Sequence, residues 1–171
     1  MGSILTPLTS LGSYHLIAWG SLLGTELYQS FVMTKLCYIH LPRPQFTMLQ
    51  KRVFPVYFNI QTGLVVATAL TYPPGSVLGL AKNIPDVGLL GVIFGLSLLN
   101  KFVYGPRTSQ AMVERAHQET RDGQRHTDDI SKEMALLKRK FSSNHAMSIH
   151  LNLIVIIGTI LYGLRLGSKI A

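Results

Sequence analysis

Hydrophobic and polar positions separate along this chain instead of mixing. Four stretches, 1–34, 53–81, 87–100 and 141–164, contain no Lys, Arg or Asp, and among them they hold a single Glu, Glu26. The apolar runs are continuous rather than alternating, which favours helices over the strands of a membrane barrel. Crossing a hydrocarbon core of ~30 Å takes about 20 helical residues. The pattern therefore predicts spans at 14–36, 53–72, 86–104 and 146–164. Turn residues bound them: Leu41-Pro42-Arg43-Pro44 after the first, Pro73-Pro74-Gly75 after the second, and Pro85 at the start of the third, where its missing N–H costs nothing. The expected fold is all-α, one domain over 1–171, an integral membrane bundle of four transmembrane helices.

The polar connection 105–145 is too long for a plain loop. It reads as a continuation of the third helix that stops before Gly123, then a second helix capped by Thr127 or Asp128. Ile130, Met134, Leu137 and Phe141 form one apolar stripe on that second helix, with Lys132, Lys138, Arg139 and Lys140 around it. Such an amphipathic helix either lies on the membrane surface, its cations toward anionic lipid head groups, or packs on its own bundle.

Charge gives the bundle a direction. Counting Lys35 and Lys101, 13 basic residues belong to the two connections on one side, and Lys82, Arg165 and Lys169 to the other. The positive-inside rule places those connections in the cytosol and both termini outside or in a lumen. Endoplasmic reticulum, another endomembrane or the plasma membrane is expected, with a mitochondrial membrane the alternative. No positively charged region precedes Lys35, so the first span reads as an uncleaved signal-anchor.

Composition adds little beyond this. The 171 residues are 47% apolar and 14% charged, with a formal net charge of +8. The excess cations flank apolar segments without interleaved aromatics, so the bilayer is the expected partner and nucleic acid is not. The lone Cys37 cannot form an internal disulfide and reads as an inert thiol near the interface. Six of the seven tyrosines, Tyr14, Tyr38, Tyr57, Tyr72, Tyr104 and Tyr162, fall near predicted helix ends, where their rings favour the interface.

Chemistry is sparse. Glu26 is the one carboxylate well inside a span, so it is expected to face the interior, either as a neutral, hydrogen-bonded helix tie or as a proton- or cation-handling group. Asn59, Asn100, Arg107, His145 and Asn152 are expected to gather with it in the cytosolic half, with Gln61 and Ser148 at related depths. Gly20 and Gly24, and Gly91 and Gly95, are small-xxx-small pairs that predict close packing of the first helix on the third, with a homodimer as the other reading. The histidines lack metal-ligand spacing, no Gly-rich phosphate loop occurs, and no Ser or Cys has an activating neighbour, so an enzyme, a metal or a cofactor is not expected.

Four blocks carry a family resemblance: Ala18-Trp19-Gly20; Leu41-Pro42-Arg43 with Phe46, Gln50 and Phe54-Pro55-Val56-Tyr57-Phe58; Asn100 with Pro106-Arg107-Thr108 and Met112; and Phe141, His145, Ser148, Asn152 and Leu153. In this order the chain resembles the transmembrane protein 205 family from about 18 to 153. The resemblance implies a four-helix membrane protein with a variable polar region before the last helix, and no catalytic residues. The expected function is a non-enzymatic interaction or adaptor subunit of an endomembrane complex; the alternative is a small transporter or ligand-binding bundle built on Glu26 and the cytosolic-side polar residues.

Overall fold

A computed structural model describes residues 10–124 and 131–169. Every regular element among them is helical. Helix α1 (Leu11–Leu27) runs through a π-helical turn (Tyr28–Met33) into α2 (Thr34–His40). Helix α3 (Arg43–Leu70) returns, and a short α4 (Ser76–Ala81) leads to α5 (Ile84–Leu99). A second π turn (Asn100–Tyr104) joins α5 to α6 (Gly105–Gln124), and α7 (Lys132–Gly167) closes the chain. Three helical stretches, Arg43–Leu70, Ile84–Gly123 and Lys132–Gly167, are long and apolar enough to cross a membrane. The run 11–40 has the length, but His15, Glu26 and Gln29 interrupt its apolarity.

Local chemistry explains the boundaries. Pro42 precedes α3 and Pro44 sits in its first turn, so this helix starts about ten residues before the predicted span. Pro55 lies inside it and removes one backbone donor. Asn83 caps α5 by accepting from the Asp86 N–H at 3.3 Å, with Pro85 in the first turn as expected. The second π turn ends just before Pro106. Proline has no N–H and its ring crowds the carbonyl four residues back, which accounts for a widened turn there. Thr127, Asp128 and Ile130 lie outside the described residues; α7 is capped by Ser131, whose hydroxyl accepts from the Met134 N–H at 3.1 Å.

The core is one stripe from each long helix. Leu22, Val65, Leu90, Ile93 and Val155 meet at its centre, with Trp19 and Phe94 packed against them. In lipid, such contacts are favoured by close packing rather than by expulsion of water. Close approach is made by glycines of α7. A Cβ on Gly163 would stand 2.0 Å from the Trp19 ring, and one on Gly158 would stand 2.9 Å from Ile93. The indole N–H of Trp19 then donates to the Thr159 carbonyl at 3.0 Å. This corrects the expectation for Gly20, Gly24, Gly91 and Gly95: a Cβ on any of them would meet nothing within 4 Å. Gly20 and Gly24 lie off the inward stripe of α1, which runs through His15, Ala18, Leu22 and Glu26, and Gly91 and Gly95 lie off that of α5, which runs through Asp86, Leu90, Ile93 and Ser97.

The connection after α5 is an antiparallel hairpin of α6 on α7. Ala111, Gln118 and Met134 are buried in it. Lys140 pairs with Glu114 at 2.8 Å, the Arg115 guanidinium lies 5.0 Å over the Phe141 ring, and Ser131 donates to Asp122 at 2.8 Å. Of the two readings of this segment, the one in which it packs on its own chain holds. The N-terminal half of α7 does not lie flat on a membrane, because it belongs to the same uninterrupted helix as the last apolar segment. Lys132, Lys138, Arg139 and Lys140 are exposed positions of that hairpin. At 36 residues, α7 is about 54 Å long, well beyond the ~30 Å of a hydrocarbon core.

Candidate functional site

Two polar clusters occupy the interior, one toward the hairpin and one at the opposite end, and an apolar layer of Leu22, Val65, Ile93 and Val155 separates them. The cluster nearer the hairpin is built on Gln61. Its amide Nε2 lies 3.1 Å from Glu26 Oε1, 3.2 Å from the Tyr57 hydroxyl and 3.2 Å from Asn152 Oδ1. Tyr57 donates its own hydroxyl to Asn152 Oδ1 at 2.8 Å, and Asn152 Nδ2 donates to the Ser30 hydroxyl at 2.9 Å. Helical spacing makes this possible. Tyr57 and Gln61 are one turn apart on the same face of α3, and Ser30 follows Glu26 by four residues into the first π turn. Glu26 and Gln61 are fully buried. Their second oxygens, Glu26 Oε2 and Gln61 Oε1, have no hydrogen-bond partner among the described residues. No ion pair among those residues involves Glu26.

The structure brings together only two of the six residues expected here, Glu26 and Asn152. Asn59 is exposed, because it sits two positions from Gln61 and so points to the other side of α3. Asn100 is fully buried but serves a different joint, donating to the Ser148 carbonyl of α7 at 3.1 Å. Arg107 is exposed at the base of the hairpin. His145 stacks on Phe141, ring centroids 5.1 Å apart. Gln61, expected at a related depth, joins Glu26 and Asn152, and Tyr57 and Ser30 complete the set. Tyr57 reads as an interface ring by position, yet it is 4% exposed.

At the far end the cluster centres on Asp86 and His15. Asp86 accepts from Arg165 Nε at 2.7 Å, from the Tyr72 hydroxyl at 2.8 Å and from Lys169 Nζ. Lys169 also donates to Tyr72 at 2.9 Å. Asp86 lies in the first turn of α5 and Arg165 in the last turn of α7, so each charge also suits the dipole of its own helix. One turn inward, the His15 Nδ1 lies 2.9 Å from the Thr68 carbonyl and its Nε2 lies 2.8 Å from the Tyr162 hydroxyl. A carbonyl only accepts, so Nδ1 carries the proton and Nε2 accepts from Tyr162. His15 is fully buried between the edges of Tyr72 and Tyr162. Of this cluster, the charge pattern marked Arg165 and Lys169 but neither of the groups at its centre. His15 carries no formal charge in such a count, and Asp86 falls at a helix boundary. The signal that finds them is the buried stripe of α5, Asp86, Leu90, Ile93, Ser97 and Asn100, with polar groups at both ends of one apolar face.

In both clusters hydrogen bonds run between helices. Among the described residues no three His, Cys, Asp or Glu gather in a metal-binding group. A surface depression of about 360 Å³ borders the first cluster at Tyr57; it is an open groove lined also by Thr25, Gln29, Arg52, Val53, Val56 and Ile60.

Comparison with known proteins adds a family. Residues 17–117 match the model of a domain of unknown function, DUF4149. The chain is also 44% identical over 173 residues to "Xanthocillin biosynthesis cluster protein D" of Aspergillus fumigatus, covering 99% of this chain and 97% of that protein. No solved structure matches. These matches correct the resemblance to the transmembrane protein 205 family: the blocks that suggested it, from Ala18 through Met112, fall within the DUF4149 match instead. With more than half its length in that match and a full-length relative at 44% identity, the chain belongs to the DUF4149 family.

Proposed function

We propose that the protein is a four-span membrane scaffold that presents the α6–α7 hairpin to the cytosol as a docking element. It acts without catalysis, as an adaptor subunit of a biosynthetic assembly on an endomembrane. The observation that carries this reading is the placement of polar groups. Inside the bundle most of them bond across helices, Gln61 with Glu26, Tyr57 and Asn152, which favours a helix-joining role over a solute path. On the hairpin, cations and apolar side chains are instead turned outward, including Leu136 at 68% exposure.

The helical run 11–40 supplies the fourth crossing. Its inward stripe of His15, Ala18, Leu22 and Glu26 packs against the other helices, with His15 and Glu26 Oε1 hydrogen-bonded to them, and its outward face carries Leu16, Ile17, Phe31 and Val32, as lipid contact requires. Asp86 pairs with two of the three cations on the sparse side, Arg165 and Lys169; the orientation itself rests on the excess of Lys and Arg on the hairpin side. The relative is named for a xanthocillin biosynthesis cluster, which supports a biosynthetic setting here.

Purification in mild detergent should retain a stoichiometric partner or a self-associated form, and Leu136→Glu should release it while the bundle stays intact. A monodisperse monomer with no partner, wild type and variant alike, defeats the adaptor reading. A tag at Met1 that protease removes from sealed, cytosol-facing vesicles defeats the orientation.

A further inference from the structure

The groove between α1 and α3 has a composition that the scaffold role does not use. Val53, Val56, Tyr57 and Ile60 form one face of α3 at helical spacing, and Gln29 joins them from the first π turn. Val56 and Ile60 are 56% and 46% exposed, so no described residue covers this face. Arg52 stands at the end nearer the connection between α2 and α3, with Lys51 beside it, and none of the ion pairs among the described residues involves either.

We infer that this groove binds one anionic glycerophospholipid of the adjoining leaflet, its phosphate on Arg52 and one acyl chain along Val53, Val56 and Ile60. Length fits. From Arg52 to Ile60 the helix rises ~12 Å, most of the ~15 Å that one leaflet contributes to a hydrocarbon core. Volume fits as well, since about 360 Å³ lies in the range of small-ligand sites. The guanidinium offers a planar pair of donors suited to a phosphate. A soluble anion would leave the apolar length of the groove unused. A zwitterionic lipid has no net negative charge to offset the two cations Arg52 and Lys51. The floor of the groove is the Tyr57 ring, whose hydroxyl belongs to the Glu26–Gln61 network, so a bound lipid would press on the joint between α1, α3 and α7. The inference rests on the membrane reading above but not on the adaptor role: loss of lipid leaves hairpin docking untouched, and loss of docking leaves the groove.

The test uses the full chain in phosphatidylcholine nanodiscs carrying a minority of phosphatidylserine, with retained lipid counted by native mass spectrometry after transfer to detergent. Wild type should keep one phosphatidylserine per chain. Arg52→Gln should lower that retention about tenfold, the loss expected for a charge-assisted bond. Val56→Trp, which fills the groove without touching the core, should lower it comparably with Arg52 in place, and Lys138→Gln on the hairpin should leave it unchanged. Equal retention of the two lipids, no effect of Arg52→Gln, or no effect of Val56→Trp overturns the assignment.

Discussion

The two interior clusters each hold a buried acid, and they satisfy it by different means. Asp86 lies at the mouth of the bundle. Its partners Arg165 and Lys169 keep 42% and 38% of their side chains exposed while Asp86 keeps 2%. Glu26 lies about 16 Å from His15 along the same helix, beyond the apolar layer, and its bonded partner is an amide. A long cation can reach an acid at the boundary while its own stem stays near water. Deep in the bundle, a second charge would need desolvation that one contact does not offset. The same residue class therefore serves as an ion-pair anchor at one level and accepts from an amide, with no ion pair among the described residues, at the other.

Substitutions that remove charge but keep shape separate the two. Asp86→Asn should have the largest effect, about 2–3 kcal/mol of stability in detergent. That is below the 3–5 kcal/mol of a fully buried pair, because both cations can turn to water. Thermal unfolding reads it, and a loss equal to that of Glu26→Gln would erase the distinction. Gln61→Leu comes next. It strips the amide shared by Glu26, Tyr57 and Asn152 and should cost about 1 kcal/mol, in line with interhelical bonds measured in membranes. Glu26→Gln should cost under about 0.5 kcal/mol, because the amide partner Gln61 accepts a neutral replacement. A large loss there would mean that Glu26 acts through its charge.

Outside the bundle, the Glu114–Lys140 pair gives the smallest effect and an internal control. The hydrogen bond from Lys140, then that from Gln110, holds the Glu114 carboxyl below its usual value. Its contribution to the hairpin is therefore complete above the ordinary carboxylate range and is lost as pH falls through the lowered value. Hydrogen exchange of α6 should rise over that acid window in wild type but not in Glu114→Gln. An identical acid response in the two chains removes the pair from the account.

The long helices were legible because an apolar run of this length leaves no other economical conformation. The α6–α7 pairing was half legible. Met134, Leu137 and Phe141 mark a buried side, but nothing local says whether lipid or another helix covers it. The clusters were harder. Asn59 and Gln61 look equivalent by depth, and only the phase of α3, set by Tyr57, Phe58 and Val65 packing inward, separates them. The packing glycines failed for a related reason. Gly20 and Gly24 share a helix face, but small residues mark close approach only on the face that meets a neighbour, and the large Trp19 claimed Gly163 instead.

Helix α7 passes from the hairpin through both clusters without a break. It is gripped at Asn152 and again at Arg165, some 20 Å apart. A shaft clamped at one point can swivel or slide; clamped at two, it can do neither unless both release together. A load arriving at the hairpin is therefore delivered to the far membrane face as force on Asp86, and the protein behaves as a strut rather than a hinge.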